Sequence, residues 1–351
     1  MTNRAALSTR AQCRLMIATR LLGLKNHIDQ AMAQSPLKVL AVAGFILLIW
    51  VSLYGLFYSI FWTLKRQAMA SIIAIPYLFG FFFLALMVML MISNGVLIHG
   101  SLFRNRESEY LLASPAEPIN IVAIKYAESL FLSSWAMLLL GVPLMLAMAS
   151  LQFVAWYFYP LFFGLFLGFL AIPGAWGLLG AWLVARCFPR SAGKALLAVC
   201  AIFTGVFAWL MLDAGLFNYR WAVSTIWIKR FFEEFRFIRS ALLPSAWVSE
   251  GINAAMEGRP TRALFYLFIT ASNALFFSWL AITLTSGRLA TAFSRASAMG
   301  GKRLRGQAWP SAALTAILFF YLPADMRTLI RKDVRGFLRD PSQWIQLLIL
   351  M

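Results

Sequence analysis

Long runs without a charged residue alternate with short charged segments along this chain. No Asp, Glu, Lys or Arg occurs between Gln67 and Phe103 or between Ser129 and Ala185. A membrane-spanning helix needs about 20 apolar residues, and a charge at the bilayer centre costs about 2.5–3.5 kcal/mol. The pattern therefore predicts an all-α polytopic membrane protein. Its six predicted transmembrane helices are Leu37–Phe61, Ala70–Ile98, Ser129–Ala149, Trp156–Val184, Ala195–Leu212 and Ala263–Thr283.

The composition supports the same fold class. Hydrophobic residues make up 62% of the chain and charged residues only 13%, which is more apolar than a soluble domain of this length. The net charge of +18 would suit nucleic acid, but the sequence has no soluble basic domain to bind it. We therefore predict that the Lys and Arg residues contact anionic headgroups of membrane lipids, and we predict no nucleic-acid partner.

The positions of Lys and Arg also predict an orientation. They are more numerous in the segments that are cytoplasmic if the N-terminus is inside, which favours a cytoplasmic N-terminus. No acidic residue precedes Asp29, a feature that is also typical of a mitochondrial transit peptide. The alternative is an amphipathic helix at the membrane interface within residues 1–36, which we prefer. Its apolar residues at helical spacing are Ile17, Leu21, Leu24 and Ile28.

Polar residues and glycines inside the predicted helices indicate close helix packing. Glu128 lies at the inner end of the third helix, where an interfacial position is expected. We predict interhelical hydrogen bonds, rather than a substrate path, for Asn94, Ser133, Ser134, Ser272 and Asn273. Pro160 and Pro173 predict a kink in the fourth helix. Close approach of neighbouring helices is predicted there at Gly164, Gly168, Gly174, Gly177 and Gly180.

The sequence predicts no catalytic, cofactor or metal site in this chain. Its three cysteines and two histidines are too widely separated for a disulfide framework or a metal-ligand spacing. Neither Gly193-Lys194 nor Gly301-Lys302 completes the phosphate-binding pattern G-x-x-x-x-G-K-[ST]. If the protein uses ATP, we therefore expect the nucleotide to bind to another chain.

Three segments outside the predicted helices have distinct patterns. A loop at 101–125 begins with charges and contains a short apolar helix-like turn, and the outer segment 213–262 alternates aromatic and charged residues. Aromatic and charged residues of this kind are typical of helices at the headgroup level. The segment 286–351 is basic and ends in the apolar run Trp344–Met351. This ending predicts the start of a seventh helix and a second, truncated membrane module.

The order of these parts resembles the type-2 ABC exporter permeases. The local similarities are RESEYLLASPAEPINIVAIK at 106–125, LLPSAWVSEGINAAMEGRPTRALFYL at 242–267 and KDVRGFLRDPSQW at 332–344. The resemblance implies a membrane-spanning subunit in a bacterial plasma (inner) membrane that exports an unknown substrate by alternating access. It implies that ATP binds to a separate ABC ATP-binding subunit, and that the permease pairs with a second copy or a second permease half.

The resemblance also implies a docking site for the ATP-binding subunit. This site would combine the 101–125 loop, which contains the coupling helix, with the cytoplasmic turn at 186–194. The implied docking residues are Glu107, Glu109, Tyr110, Leu111, Leu112, Pro189 and Arg190.

Other protein classes predict different patterns. A secondary transporter has ionisable residues near the membrane midplane at broken helices, and the predicted helices are nearly free of them. A membrane-embedded enzyme has clustered His, Asp or Glu residues, whereas this chain has two His and 13 acidic residues scattered through its loops. A non-transporting membrane scaffold stays open as an alternative.

Overall fold

The computed structural model describes residues 9–34, 36–66, 68–103, 106–114, 116–152, 154–187, 205, 240–289, 326, 330 and 332. Within these residues every regular element is helical, which confirms the predicted all-α fold class. A single π-helical turn, His99–Phe103, follows α3. The α-helices are α1 (Thr9–Gln34), α2 (Pro36–Arg66), α3 (Ala68–Ile98), α4 (Arg106–Ala113), α5 (Pro118–Gln152), α6 (Phe158–Cys187), α7 (Pro244–Met256) and α8 (Pro260–Ser286).

Prolines mark the beginning of four of these helices: Pro36, Pro118, Pro244 and Pro260. The first residues of a helix have no intrahelical partner for their N–H groups, so proline loses no hydrogen bond there. Its fixed φ also suits the helical conformation. The local sequence therefore favours helix starts at these four positions.

Four described helices are long and apolar enough to cross a membrane: Val39–Arg66, Pro76–Phe103, Phe158–Cys187 and Pro260–Ser286. They correspond to the first, second, fourth and sixth predicted transmembrane helices. Within α5, Pro118–Trp135 and Met137–Gln152 meet at 48° and would form a fifth if they cross together.

Six transmembrane helices are thus not confirmed. The third prediction, Ser129–Ala149, lies within α5. The fifth, Ala195–Leu212, falls outside the described residues apart from residue 205. Most of the segments 213–262 and 286–351 also falls outside them, including the predicted seventh helix at Trp344–Met351.

Helix α6 lies at the centre of the bundle and packs against α3, α7 and α8, whereas α2 packs mainly against α5 and α3. Phe169 of α6 is fully buried, and its ring meets Phe83 of α3 edge to face with centroids 5.5 Å apart. Aromatic rings favour this arrangement because the positive edge of one ring faces the negative face of the other.

Glycines allow the close approach of α6 to its neighbours at four of the five predicted positions, whereas the prediction is wrong for Gly180, which has no atom within 4 Å of an added Cβ. A Cβ atom added at Gly177 would lie 2.8 Å from the Gly95 nitrogen and 2.8 Å from the Met91 carbonyl oxygen, both backbone atoms of α3. A Cβ at Gly168 would lie 3.1 Å from Thr270 of α8. Helix α6 nevertheless runs through Pro173 as one helix from Phe158 to Cys187.

A glycine turn joins α7 to α8. Gly258 has φ of 75°, a left-handed conformation that residues with a Cβ rarely adopt. Its N–H donates to Ala255 O, and the N–H of Arg259 donates to Ala254 O at 2.9 Å. These two bonds satisfy the last carbonyls of α7 in a Schellman motif, so α8 begins directly after the turn.

Candidate functional site

Four charged residues from three helices form an ion-pair cluster, made up of Arg20 (α1), Glu107 (α4), and Lys125 and Glu128 (α5). Lys125 Nζ lies 2.9 Å from Glu107 Oε2 and 3.1 Å from Glu128 Oε2. Arg20 Nε lies 2.6 Å from Glu128 Oε1, and the guanidinium also pairs with Glu107. Each cation therefore contacts both carboxylates, and the charges of the cluster balance.

Burial makes these contacts necessary for Lys125. Its side chain is only 3% exposed, whereas that of Arg20 is 46% exposed. Moving an ammonium group out of water costs free energy that only a paired and hydrogen-bonded environment offsets. The two carboxylates provide this environment, so the position of Lys125 depends on Glu107 of α4 as well as on Glu128 of its own helix.

A second contact holds α1 beside the beginning of α5. Gln12 Oε1 accepts a hydrogen bond of 3.2 Å from Asn120 Nδ2 and one of 3.4 Å from the backbone N–H of Glu117. Gln12 and Arg20 are about two helical turns apart, so they lie on roughly the same face of α1. Helix α1 is therefore fixed to α4 and α5 at two points.

The structure separates the predicted docking residues into different environments. Glu107 belongs to the ion-pair cluster, and Tyr110 is 77% exposed. Leu111 and Leu112 are half-buried and pack against the apolar core that contains Ile121. Glu109 belongs to α4, but its side chain is not described, and Pro189 and Arg190 lie outside the described residues.

Three members of the ion-pair cluster were absent from the predicted site: Arg20, Lys125 and Glu128. The spacing of Lys125 and Glu128, three residues apart on a helix, was a usable signal for an ion pair. Arg20 and Glu107 are 87 positions apart, and no local pattern relates residues at that separation.

The cluster borders a small cavity of about 190 Å³. Its charged lining residues are Arg20, Glu107 and Lys125, Thr19 adds a hydroxyl, and the apolar lining residues are Leu111, Ile121 and Ile124. Pockets for cofactors and drug-sized ligands usually measure about 300–1,000 Å³. This cavity is therefore too small for a nucleotide.

Comparison with known proteins identifies one family. A family model described as "Putative ATP-binding cassette" matches residues 30–351, which is most of the chain. No curated protein and no solved structure matches the chain.

The family match corrects four predictions. The assignment to the type-2 exporter permeases is wrong, because the matching family is described as an ATP-binding cassette. For the same reason the predicted function of a permease subunit is overturned. The prediction of a chain without an ATPase site and the prediction of ATP on a partner subunit alone are overturned with it.

The described residues around this cavity do not fit ATP. An ATP-binding cassette cradles phosphates with the backbone N–H groups of a glycine-rich loop and with a lysine. In the described part of the chain, the cavity beside the ion-pair cluster does not meet this need, because carboxylates already engage both Arg20 and Lys125. Glu107 and Glu128 would also repel a triphosphate. We therefore assign no described residue to ATP.

The match over residues 30–351 spans α2 to α8 and continues beyond them. The chain therefore belongs to this ATP-binding cassette family.

Proposed function

We propose that this protein takes part in ATP-dependent transport across a membrane and that the described helices form its membrane-embedded region. The proposal is supported by one combination: family membership as an ATP-binding cassette protein, and four helices in the same chain that are long and apolar enough to span a bilayer. A soluble ATPase domain does not need helices of this length and hydrophobicity, whereas transport across a membrane requires helices that span the bilayer.

We propose further that α4 contacts the ATP-hydrolysing part of the transport system. Helix α4 presents Tyr110 to solvent, while Leu111 and Leu112 pack inward against the core. An exposed aromatic residue on a short helix that packs against the core is suited to anchor a protein contact. In this proposal Glu109, Pro189 and Arg190 extend the contact surface. The proposal also has α1 and α4 on the cytoplasmic side, an orientation that the excess of Lys and Arg favours.

The test is ATP hydrolysis by the full chain, purified in mild detergent from its natural host together with the proteins that accompany it. We expect vanadate-sensitive hydrolysis that falls at least about tenfold in Tyr110→Asp, because a charge there would disrupt a central contact. Tyr110 is a better position than Leu111 or Leu112, because those side chains also support the fold.

Two control variants make the result specific. Tyr110→Phe keeps the ring and should retain hydrolysis, and Leu242→Asp introduces the same charge at a side chain that is 87% exposed elsewhere. If the unmodified preparation hydrolyses no ATP, the proposed function is wrong. If Tyr110→Asp and Leu242→Asp behave alike, the role of α4 is wrong.

A further inference from the structure

We infer that the first half of α5 mechanically links the ion-pair cluster to a buried polar cluster in the bundle, with Ser129 and Ser133 as positioning residues. The polar cluster, called the Asn94 cluster below, consists of Asn94, Ser129 and Ser133. The role of this link in transport rests on the proposed function. The contacts that form the link do not depend on that function.

The Asn94 cluster joins α3 to α5 through hydrogen bonds. Asn94 is fully buried, and its Oδ1 accepts a bond of 2.7 Å from Ser129 Oγ. Its Nδ2 donates to Ser133 Oγ at 2.9 Å and to Leu90 O at 2.8 Å. A buried amide with satisfied donors and acceptor is costly to displace, because any shift leaves polar atoms without partners.

The two clusters share one face of α5. Lys125, Ser129 and Ser133 are four residues apart in succession, and positions i, i+4 and i+8 lie above one another on consecutive helical turns. A rise of 1.5 Å per residue separates the first from the last by about 12 Å. One helical segment therefore carries the pairing partner of Glu107 at one end and the partners of Asn94 at the other.

This segment has little freedom to move independently of α6. Tyr126 Oη lies 2.8 Å from Ala171 O of α6 and 2.9 Å from Ser278 Oγ of α8. A Cβ atom added at Gly174 of α6 would lie 2.3 Å from Leu130 Cδ2 of α5. Closely packed helices of this kind exchange between discrete arrangements and do not deform gradually.

Movement of α4 therefore reaches the bundle interior. A displacement of Glu107 shifts Lys125, and the same segment of α5 then carries Ser129 and Ser133 away from Asn94. Coupling between two sites is reciprocal, so loosening the Asn94 cluster must also loosen α4. Because of this reciprocity, residues of the Asn94 cluster can be substituted and the effect measured in α4.

The test measures amide hydrogen exchange by mass spectrometry on the full chain in lipid nanodiscs, without nucleotide. Ser129→Ala and Ser133→Ala each remove a bond to Asn94, and we expect exchange in α4, residues 106–113, to rise about two- to fivefold. Glu107→Gln breaks the ion-pair cluster directly and provides the reference for a loosened α4.

Ser134→Ala is the matched control. Ser134 is the neighbour of Ser133, but its hydroxyl donates only to Phe131 O within α5. It should leave exchange in α4 unchanged. If Ser129→Ala and Ser133→Ala match Ser134→Ala in α4 while Glu107→Gln raises exchange there, the link is overturned. Should one serine variant fail to fold, the other decides the result.

The outcome is separable from that of the hydrolysis experiment. Absence of ATP hydrolysis would overturn the proposed function and leave the exchange measurement valid. Exchange changes confined to the neighbourhood of each substitution would overturn the link and leave ATP-dependent transport unaffected.

Discussion

Helices α2 and α6 are both strongly apolar, but they differ in how far the rest of the protein buries them. The most apolar stretch of α2 has a mean hydropathy of 2.4 and is 0% buried, whereas that of α6 has a mean hydropathy of 1.9 and is 67% buried. In the part of the chain that the structure describes, the more hydrophobic stretch is thus the less buried one, although Phe61 near the end of α2 is buried against Phe79 of α3. Hydropathy reports whether a helix suits a bilayer, and it does not report whether lipid or protein surrounds the helix.

The glycines distinguish the two helices better than hydropathy does. A Cβ atom added at Gly44 or Gly55 of α2 would have no atom within 4 Å. The same atom at Gly164, Gly174 or Gly177 of α6 would lie closer than 3.0 Å to a neighbouring helix. Glycine in an apolar helix is thus informative when another helix lies against it, through backbone at Gly177 and through leucine side chains at Gly164 and Gly174, and only the structure shows which glycines do.

Replacing one phenylalanine by alanine in each of the two helices should give the largest difference in stability. Phe169 of α6 is fully buried, whereas Phe45 of α2 is 64% exposed. We expect Phe169→Ala to cost about 3 kcal/mol, the low end for buried phenylalanines, because lipid also solvates the ring when the helices separate. Phe45→Ala should change stability by less than about 0.5 kcal/mol. Unfolding in nanodiscs measures both, and equal losses would show that protein covers α2.

A smaller contrast is expected within α6 itself. Gly177→Ala places its Cβ against backbone atoms of α3 and should destabilise the protein by about 1–3 kcal/mol through overpacking. Gly180→Ala adds the same atom to open space, with nothing within 4 Å, and should be neutral. Thermal unfolding of the two variants in the same lipid gives the comparison. Neutral behaviour of Gly177→Ala would contradict the close contact of α6 with α3.

The smallest expected effect concerns one hydroxyl group. Tyr126 Oη contacts Ala171 O and Ser278 Oγ, so Tyr126→Phe should cost about 0.5–1.5 kcal/mol while keeping the ring. Tyr159→Phe on α6, where the side chain is 44% exposed, is the control and should have little effect. The measurement is the denaturation midpoint of each variant. Identical midpoints would show that the Tyr126 hydroxyl does not stabilise the packing of α5 against α6 and α8.

The helices themselves were largely predictable from the sequence. Leu37–Phe61 and Ala70–Ile98 were predicted, and the structure has Pro36–Arg66 and Ala68–Ile98. The third predicted helix began at Ser129, but α5 begins at Pro118. The missing turns contain Asn120, Lys125 and Glu128, whose polarity lowers hydropathy although their partners satisfy them in the fold.

The candidate site was predictable only in part. Tyr110, Leu111 and Leu112 were identified through a family resemblance that the family match then corrected. The ion-pair cluster depends on Arg20 meeting Glu107, and this contact follows from the packing of α1 against α4 rather than from any short pattern. Interhelical bonding was expected for five polar residues, and the bonds of Asn94 to Ser129 and Ser133 confirm it for two of them. Ser134 and Asn273 bond to carbonyls of their own helices.

The uncovered face of α2 has a consequence for biosynthesis. A ribosome completes α2 well before α5, its main packing partner, has been made. An apolar helix whose most hydrophobic stretch has no buried residue can enter a bilayer before its packing partners are made. Helix α6, with its glycines and buried surface, reaches its final environment only when α8 arrives. Helix α2 is thus made before α3 and α5, against which it packs, whereas α6 is made after α3 and before α8, the two helices that it contacts most.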